Sequence, residues 1–399
     1  RSGEWISTFR PDFDRPVYDL AVTTDGRLLA GGEFTRVNGV ARSGLVALDP
    51  VTGELAAGFG ATVEQRLDLA EPMMVKEILV DGPDVYVAGT FDHVVVGGFA
   101  TRVWSVARLD ASTGAVDARW RPGLTGSGVW DVAVEPSTGR VVLAGYFTAV
   151  DGLPGTNRVA SVRLSDGTAV PGMTQYAFNS AVFRDQVALA VAAGRVWVGG
   201  ADNQLGVLVP VDHTRLRTHA EDADVQVLVA VGPWILAGDH GLDGQVSLYD
   251  ATTLDRVGSF RLGLAARVHG TWALHADLDG CLWVGGDQTR TAGGRWLGGF
   301  SRFCPKADNL ALGRPASQSS TAGGGVAARA TDGDVGGAVV TLTNAESEPW
   351  LEIDLGSVRS VAGVELFNRT DCCWEWLDGV HVLLSEIPFA GTSLGAARG

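Results

Sequence analysis

Hydrolytic and redox chemistry both need titratable side chains that converge, so the seven histidines are the natural starting point. His93, His213, His219, His240, His269, His275 and His381 are scattered along the chain. None pair has the HxxxH or HxH spacing that puts two imidazoles on one metal ion. The densest polar cluster is Asp239, His240 and Asp243, with Asp287 following the next copy of the same Gly-ended apolar run. Loops that leave equivalent runs of a repeat are where a shared rim site would collect. No nucleophile elbow, Walker loop or sialidase-type Asp box occurs. A copper oxidase would need Tyr, Cys and two His close together, and the five tyrosines do not give that pattern. The chain reads as non-catalytic.

Charge narrows the partners. With 31 basic and 46 acidic residues the net charge is −15, and only Lys76 and Lys306 are lysines. Without a basic cluster to neutralise phosphates, a nucleic acid or an anionic membrane is a poor partner. The longest apolar stretch, 225–238, is broken by Gly232-Pro233 and is too short for a transmembrane helix, which needs roughly 20 residues. The chain begins at Arg1-Ser2, as a mature or trimmed product would.

An internal repeat decides the fold class. Six segments share a β-rich run, a Gly or Asp-Gly turn and a second run ending in a small-Gly pair: RLLAGG (27–32), VYVAG (85–89), VVLAG (141–145), VWVGG (196–200), WILAG (234–238) and LWVGG (282–286). A third apolar run and a more polar fourth complete most copies, as in LVALDPVTG (45–53) and ELAAGF (54–59). Four strands repeating every about 50 residues is the pattern of propeller blades. An all-β fold with a six-bladed propeller over 1–307 is therefore expected. Blades converging on an axis are taken as the reason for the Gly at the end of each second run. The sixth copy stops after GGFSRFCP (298–305), and EWISTFRP (4–11) resembles fourth-strand endings such as DARWRP (117–122). The N-terminal run is expected to complete the sixth blade. Cys281 and Cys304 fall at the start of strand two and the end of strand three of that blade, adjacent ends of an antiparallel pair, and a disulfide is expected there.

The first three units, GGEFTRVNGVARSGLVALD (31–49), AGTFDHVVVGGFATRVWSVARLD (88–110) and AGYFTAVDGLPGTNRVASVRL (144–164), resemble the delta-60 type of bacterial propeller repeat. The resemblance covers roughly residues 8–180 and implies an exported bacterial propeller without specifying chemistry.

At Ala307-Asp308 the rhythm changes. NLALGRPASQSS (309–320), ARATDGD (328–334), EPWLEIDLG (348–356), VAGVELFNRTDCC (361–373) and HVLLSEIPFAGT (381–392) resemble the F-type lectin family, a jelly-roll relative of the discoidin domains. A lectin-like jelly roll over 308–399 is expected, with its C-terminal strands missing, since eight strands need more than the 91 residues from Asn309 onward. The resemblance implies an α-L-fucose site with one His, the Arg of Arg-x-Asp and a second basic residue. Arg369 and Asp371 are present, but Leu342 stands in the His position and Trp376 in the second basic one. Two cationic donors are thus replaced by apolar groups, and Trp374 or Trp376 could stack on a sugar face instead. A docking module that has lost sugar binding is the competing reading.

The same resemblance implies a disulfide between the neighbours Cys372 and Cys373, which would offer the sugar a hard apolar surface. It also implies a structural calcium at Asp332 and Asp334, assisted by the Arg329 carbonyl, although Val339 or Val340 replaces a hydroxyl ligand. A turn-forming Asp-Gly pair is the simpler reading of that loop. Cysteine placement favours an oxidising compartment. The functional expectation is a secreted or cell-surface carbohydrate-binding protein, its propeller serving as a spacer or as a platform for a protein partner; a carbohydrate-active enzyme with an unrecognised propeller rim site and an appended sugar-binding module is the alternative.

Overall fold

A computed structural model of the chain describes residues 7–67, 71–126, 128–178, 185–241, 244–261, 264–277, 280–291, 298–304, 309–334, 340–359, 361, 363–369, 374–377 and 379–389. The chain divides into two compact units, Arg1–Pro305 and Lys306–Gly399.

The first unit is all β. Six antiparallel meander sheets follow one another among the described residues, each ordered first, second, third strand from the inside out. The inner strands are Val17–Val22, Met74–Asp81, Val129–Glu135, Gln186–Ala192, Val225–Val231 and Leu264–Ala276. Polar fourth strands complete sheets 4 and 5, as Arg215–Ala220 and the wholly exposed Arg256–Arg261. In sheets 1 to 3 the fourth strand shrinks to single bridges, Leu48 to Leu55, Leu109 to Val116 and Val162 to Ala169. The Asn38-Gly39 and Asp151-Gly152 pairs have positive φ at both residues, which the tight turns after the second strands of sheets 1 and 3 require.

Every inner strand carries a register shift, near its start in the first five sheets and mid-strand in the sixth: between Val17 and Asp19, Val75 and Glu77, Val129 and Asp131, Gln186 and Ala188, Val225 and Val227, and Thr271 and Ala273. One residue is bulged out of each ladder, namely Tyr18, Lys76, Trp130, Val187, Gln226 and Trp272. The bulge corrects the expected reason for the terminal glycines. A Cβ on Gly32, Gly89, Gly145, Gly200 or Gly286 would overlap the carbonyl oxygen at the bulge of its own sheet. The preceding glycine is the one set by the neighbour: a Cβ on Gly31 would lie 2.5 Å from Val75 Cγ1, and one on Gly199 2.5 Å from Val225 Cγ1. The register also moves the fifth marker by one residue, because Asp239, not Gly238, pairs with Val225 as Gly32 pairs with Val17.

Five seams between successive sheets are filled by apolar clusters, for example Leu29, Leu45 and Ala47 against Val75 and Ile78. The residue after each bulge pair supplies a core side chain: Ile78, Val132, Leu189, Leu228 and Leu274 are 4%, 3%, 5%, 7% and 8% exposed. The equivalent residue of sheet 1, Leu20, is 57% exposed, and Val22 beside it 61%. Gly285 of sheet 6 likewise meets only Ala273 of its own sheet, whereas Gly31 and Gly199 meet the next sheet. The join between the last sheet and the first is therefore not packed like the other five.

Half-buried carboxylates add polar ties across two seams. Asp19 Oδ2 accepts the N–H of Ile78 at 2.6 Å, and Asp131 Oδ2 accepts that of Leu189 at 2.6 Å. Desolvation raises Asp19 to about 6 and Asp131 to about 8, and raises Glu77 well above the carboxylate range.

The expected disulfide is present. Cys281 and Cys304 flank the pair Leu282 and Phe303 at the end of the last ladder. The N-terminal strand expected over 4–11 is not seen over its described part. Residues 7–11 are turn and coil laid on sheet 1, with Thr8 Oγ1 donating to the Val51 carbonyl at 2.9 Å and Asp12 N–H to Asn38 Oδ1 at 2.7 Å. Pro11 fits there because Gly53, at φ 75°, has no Cβ to meet it. Residues 4–6 lie outside the described residues.

Candidate functional site

The second unit is organised by a short ladder in which Ala316–Gln318 pairs with Leu351–Ile353. Both strands come from segments that carry the lectin resemblance, and Ser319 extends the pairing through its N–H to the Trp350 carbonyl at 3.0 Å. Gln318 is the hub of the adjoining loops. Its Nε2 lies 3.0 Å from the Gly325 carbonyl and 3.1 Å from that of Leu342, while its Oε1 accepts from Thr341 Oγ1 at 2.5 Å. Leu342 is further held by its N–H to Gly325 O at 2.9 Å and by Ala322 N–H to its own carbonyl at 2.9 Å. The segment carrying the altered site position is thus fixed by backbone bonds. Gln318 is a positioning residue that the sequence reading passed over; its signal was one amide within a run of hydroxyl residues.

Glu346 gathers a second loop contact. It accepts from Ser319 Oγ at 2.6 Å and Ser320 Oγ at 2.5 Å, and those hydroxyls hold its carboxyl below the usual range.

The other expected sugar contacts follow that ladder. Arg369 is half-buried and its N–H donates to Asn368 Oδ1 at 2.8 Å. Trp376 lies in the 3-10 turn Trp374–Leu377 and is 56% exposed, so its indole is available to a ligand face. Trp374 opens the same turn. Asp371, Cys372 and Cys373 lie outside the described residues, so the expected bond between neighbouring cysteines rests on the resemblance.

At the expected calcium loop, Asp332 Oδ1 accepts the N–H of Asp334 at 2.9 Å across Gly333, whose φ is 84°. That is a self-contained Asx turn, which uses one oxygen of the pair. Among the described residues no group of three or more His, Cys, Asp or Glu is placed to hold a metal ion. The two carboxylates alone fit calcium poorly, since that ion takes about 6 to 8 oxygens.

In the first unit the rim cluster is only partly assembled. His240 Nδ1 lies 3.8 Å from Asp224 Oδ2 and its ring stands edge-on to Trp272 at 4.9 Å. Asp239 Oδ1 accepts the Gly241 N–H at 2.9 Å, a local turn contact. Asp287 lies within the strand Leu282–Thr291, and Asp243 is outside the described residues.

Residues 329–388 match the NedA-like, galactose-binding domain, and residues 23–55 match a β-propeller domain of unknown function, DUF5122. The chain is a β-propeller followed by a galactose-binding-like domain. Its second domain is similar to Fucolectin-5 of Anguilla japonica, 33% identical over 88 residues, which are 20% of this chain and 47% of that protein. The chain thus spans about half the length of the curated relative it matches. The propeller match falls on the first of the repeats that resemble the delta-60 type, and the galactose-binding match covers both the Asp332 loop and the Arg369 segment. Among the described residues no helix is long and apolar enough to cross a membrane.

Proposed function

We propose that the protein is a non-catalytic, exported glycan-binding protein, in which the galactose-binding-like domain contacts sugar and the propeller acts as a spacer or protein-binding platform. The observation that carries this is the galactose-binding match over 329–388 together with the similarity to a fucolectin. The chemistry agrees. Arg369 supplies a cation for paired hydroxyl contacts, and the exposed Trp376 supplies an apolar face. The replacement of two cationic positions by Leu342 and Trp376 directs the site toward a glycan other than free fucose. A disulfide between Cys281 and Cys304 supports export, because such bonds persist in oxidising compartments. We read the six sheets as six blades.

A glycan array probed with the full chain and with Arg369→Ala tests the reading. Binding to a defined glycan class, lost in the variant, is expected. An array blank for both proteins would show that the domain is a docking module.

A further inference from the structure

Four of the six bulged residues meet inside the propeller, with Tyr18, Trp130 and Trp272 around Lys76, one of only two lysines in the chain. Its Nζ lies 4.3 Å from the ring centre of Tyr18, 4.5 Å from that of Trp130 and 5.2 Å from that of Trp272. Those rings come from sheets 1, 3 and 6, so the ammonium marks the axis. Among the described residues it has three π-faces around it and no hydrogen-bond acceptor. Its three N–H donors have no protein acceptor there, which leaves them to solvent or to a ligand. Cation–π contacts stabilise the charge without using those donors along lone pairs.

The remaining groups at this level have mixed chemistry. Gln226 and Val187 occupy the two other bulge positions. Glu33 accepts the Tyr18 hydroxyl at 2.5 Å and keeps its other carboxylate oxygen for a ligand. Trp130 is braced by Tyr146 at 5.1 Å, and the Tyr146 hydroxyl is pushed up to about 12 by burial and by the fields of Asp185, Glu71 and Asp224. Asp185 is paired with Arg158 at 3.5 Å, and Glu71 and Asp224 leave these surroundings net acidic, so an anion would meet their field before reaching Lys76. A ligand cation would have to displace an ammonium that is covalently attached. What fits is an uncharged ligand with a flat apolar face and many hydroxyl groups.

We propose that this mouth is a second carbohydrate site, independent of the galactose-binding-like domain, that takes one neutral sugar residue. Its C–H face lies against Trp130 or Trp272, a ring or hydroxyl oxygen accepts from Lys76 Nζ, and a hydroxyl donates to Glu33. Aromatic walls with a few convergent polar groups are the usual make-up of such sites.

Two lysines make the test direct. Trace acetylation of the full chain, read by peptide mass spectrometry, gives the reactivity of Lys76 with Lys306 as internal reference. Desolvation lowers Lys76 to about 8, so its free amine reacts near neutral pH. The probes are the methyl glycosides of galactose, fucose, mannose, glucose, xylose and N-acetylglucosamine. At ten times its dissociation constant one of them should protect Lys76 about tenfold, because only the free fraction reacts, and leave Lys306 unchanged. Trp130→Ala should lose that protection while keeping the parent melting temperature within a few degrees. Arg369→Ala should retain it, which separates this site from the lectin-like one. The proposal fails if no glycoside protects Lys76, if methyl glucuronide or tetramethylammonium protects it better than every neutral probe, or if Arg369→Ala abolishes protection.

Discussion

The carboxylate of Asp131 reaches across a propeller seam and accepts the main-chain N–H of Leu189 at 2.6 Å. Asp19 makes the same bond to Ile78 one seam pair earlier, so the two carboxylates act as polar pins between sheets that otherwise touch through apolar side chains.

A pH dependence follows from where the pins sit. Burial raises Asp131 to about 8, against about 3.9 for an unfolded aspartate. Between those values the folded protein holds a proton that the unfolded chain releases, so this group's contribution is fully present below about pH 4 and is lost as pH rises through about 8. Asp131→Asn keeps an oxygen that can accept from Leu189 and removes the titration. Its melting temperature should be higher than the parent's at pH 8 and converge with it near pH 4, a differential on the order of a few kcal/mol. Thermal melts of both proteins at pH 4, 6 and 8 decide it; parallel profiles would mean that Asp131 does not titrate in this range.

The unequal seams give a second prediction. Ile78 is 4% exposed between sheets 1 and 2, whereas Leu20, at the same position of sheet 1, is 57% exposed. Ile78→Ala removes core methylenes and leaves a cavity, which costs about 2 to 5 kcal/mol. Leu20→Ala should cost about 0.5 kcal/mol or less. Urea titration of the two variants compares them, and equal losses would show that the join between first and last sheets is packed in solution.

Glycines of the second strands provide a steric test. A Cβ at Gly200 would overlap the Asp185 carbonyl oxygen at the bulge, and backbone cannot swing away as a side-chain end can. Gly200→Ala should cost about 3 kcal/mol. Gly258, on the outer strand Arg256–Arg261, has nothing within 4 Å of the added carbon, and Gly258→Ala should be neutral or stabilise by about 0.5 kcal/mol. The prediction is lost if both variants melt alike.

The legible part of this protein was its period. RLLAGG and its five relatives place the second strand of every sheet, because β-branched runs closed by Gly turns have few other uses. What escaped notice depends on bulges. Tyr18, Lys76 and Trp130 look unrelated in sequence, and only a shared one-residue bulge turns all of them toward the axis. The Gly32 and Gly200 pattern was visible, but its cause was not, since a carbonyl of the same sheet leaves no sequence trace. In the second unit, Leu342 and Trp376 were recognised as replacements, while Gln318, which fixes the Leu342 segment, has no signature beyond its polarity.

Those two replacements carry the last prediction. If the site follows the F-type lectin arrangement, Leu342 and Trp376 each remove a charge-assisted hydrogen bond, worth about 1.5 to 3 kcal/mol apiece. Together the losses weaken free fucose binding by a factor of about a hundred or more. Because Gln318 and Gly325 hold the backbone of Leu342, a histidine there would project from a fixed segment rather than from a loose one. The exposed turn carrying Trp376 can take an arginine without disturbing a core. Titration calorimetry of the parent with L-fucose should give little or no heat, and Leu342→His with Trp376→Arg should gain about a hundredfold in affinity. Tight fucose binding by the parent would place the sugar contacts on other residues, and a double variant that stays silent would show that the lost donors are not what withholds fucose.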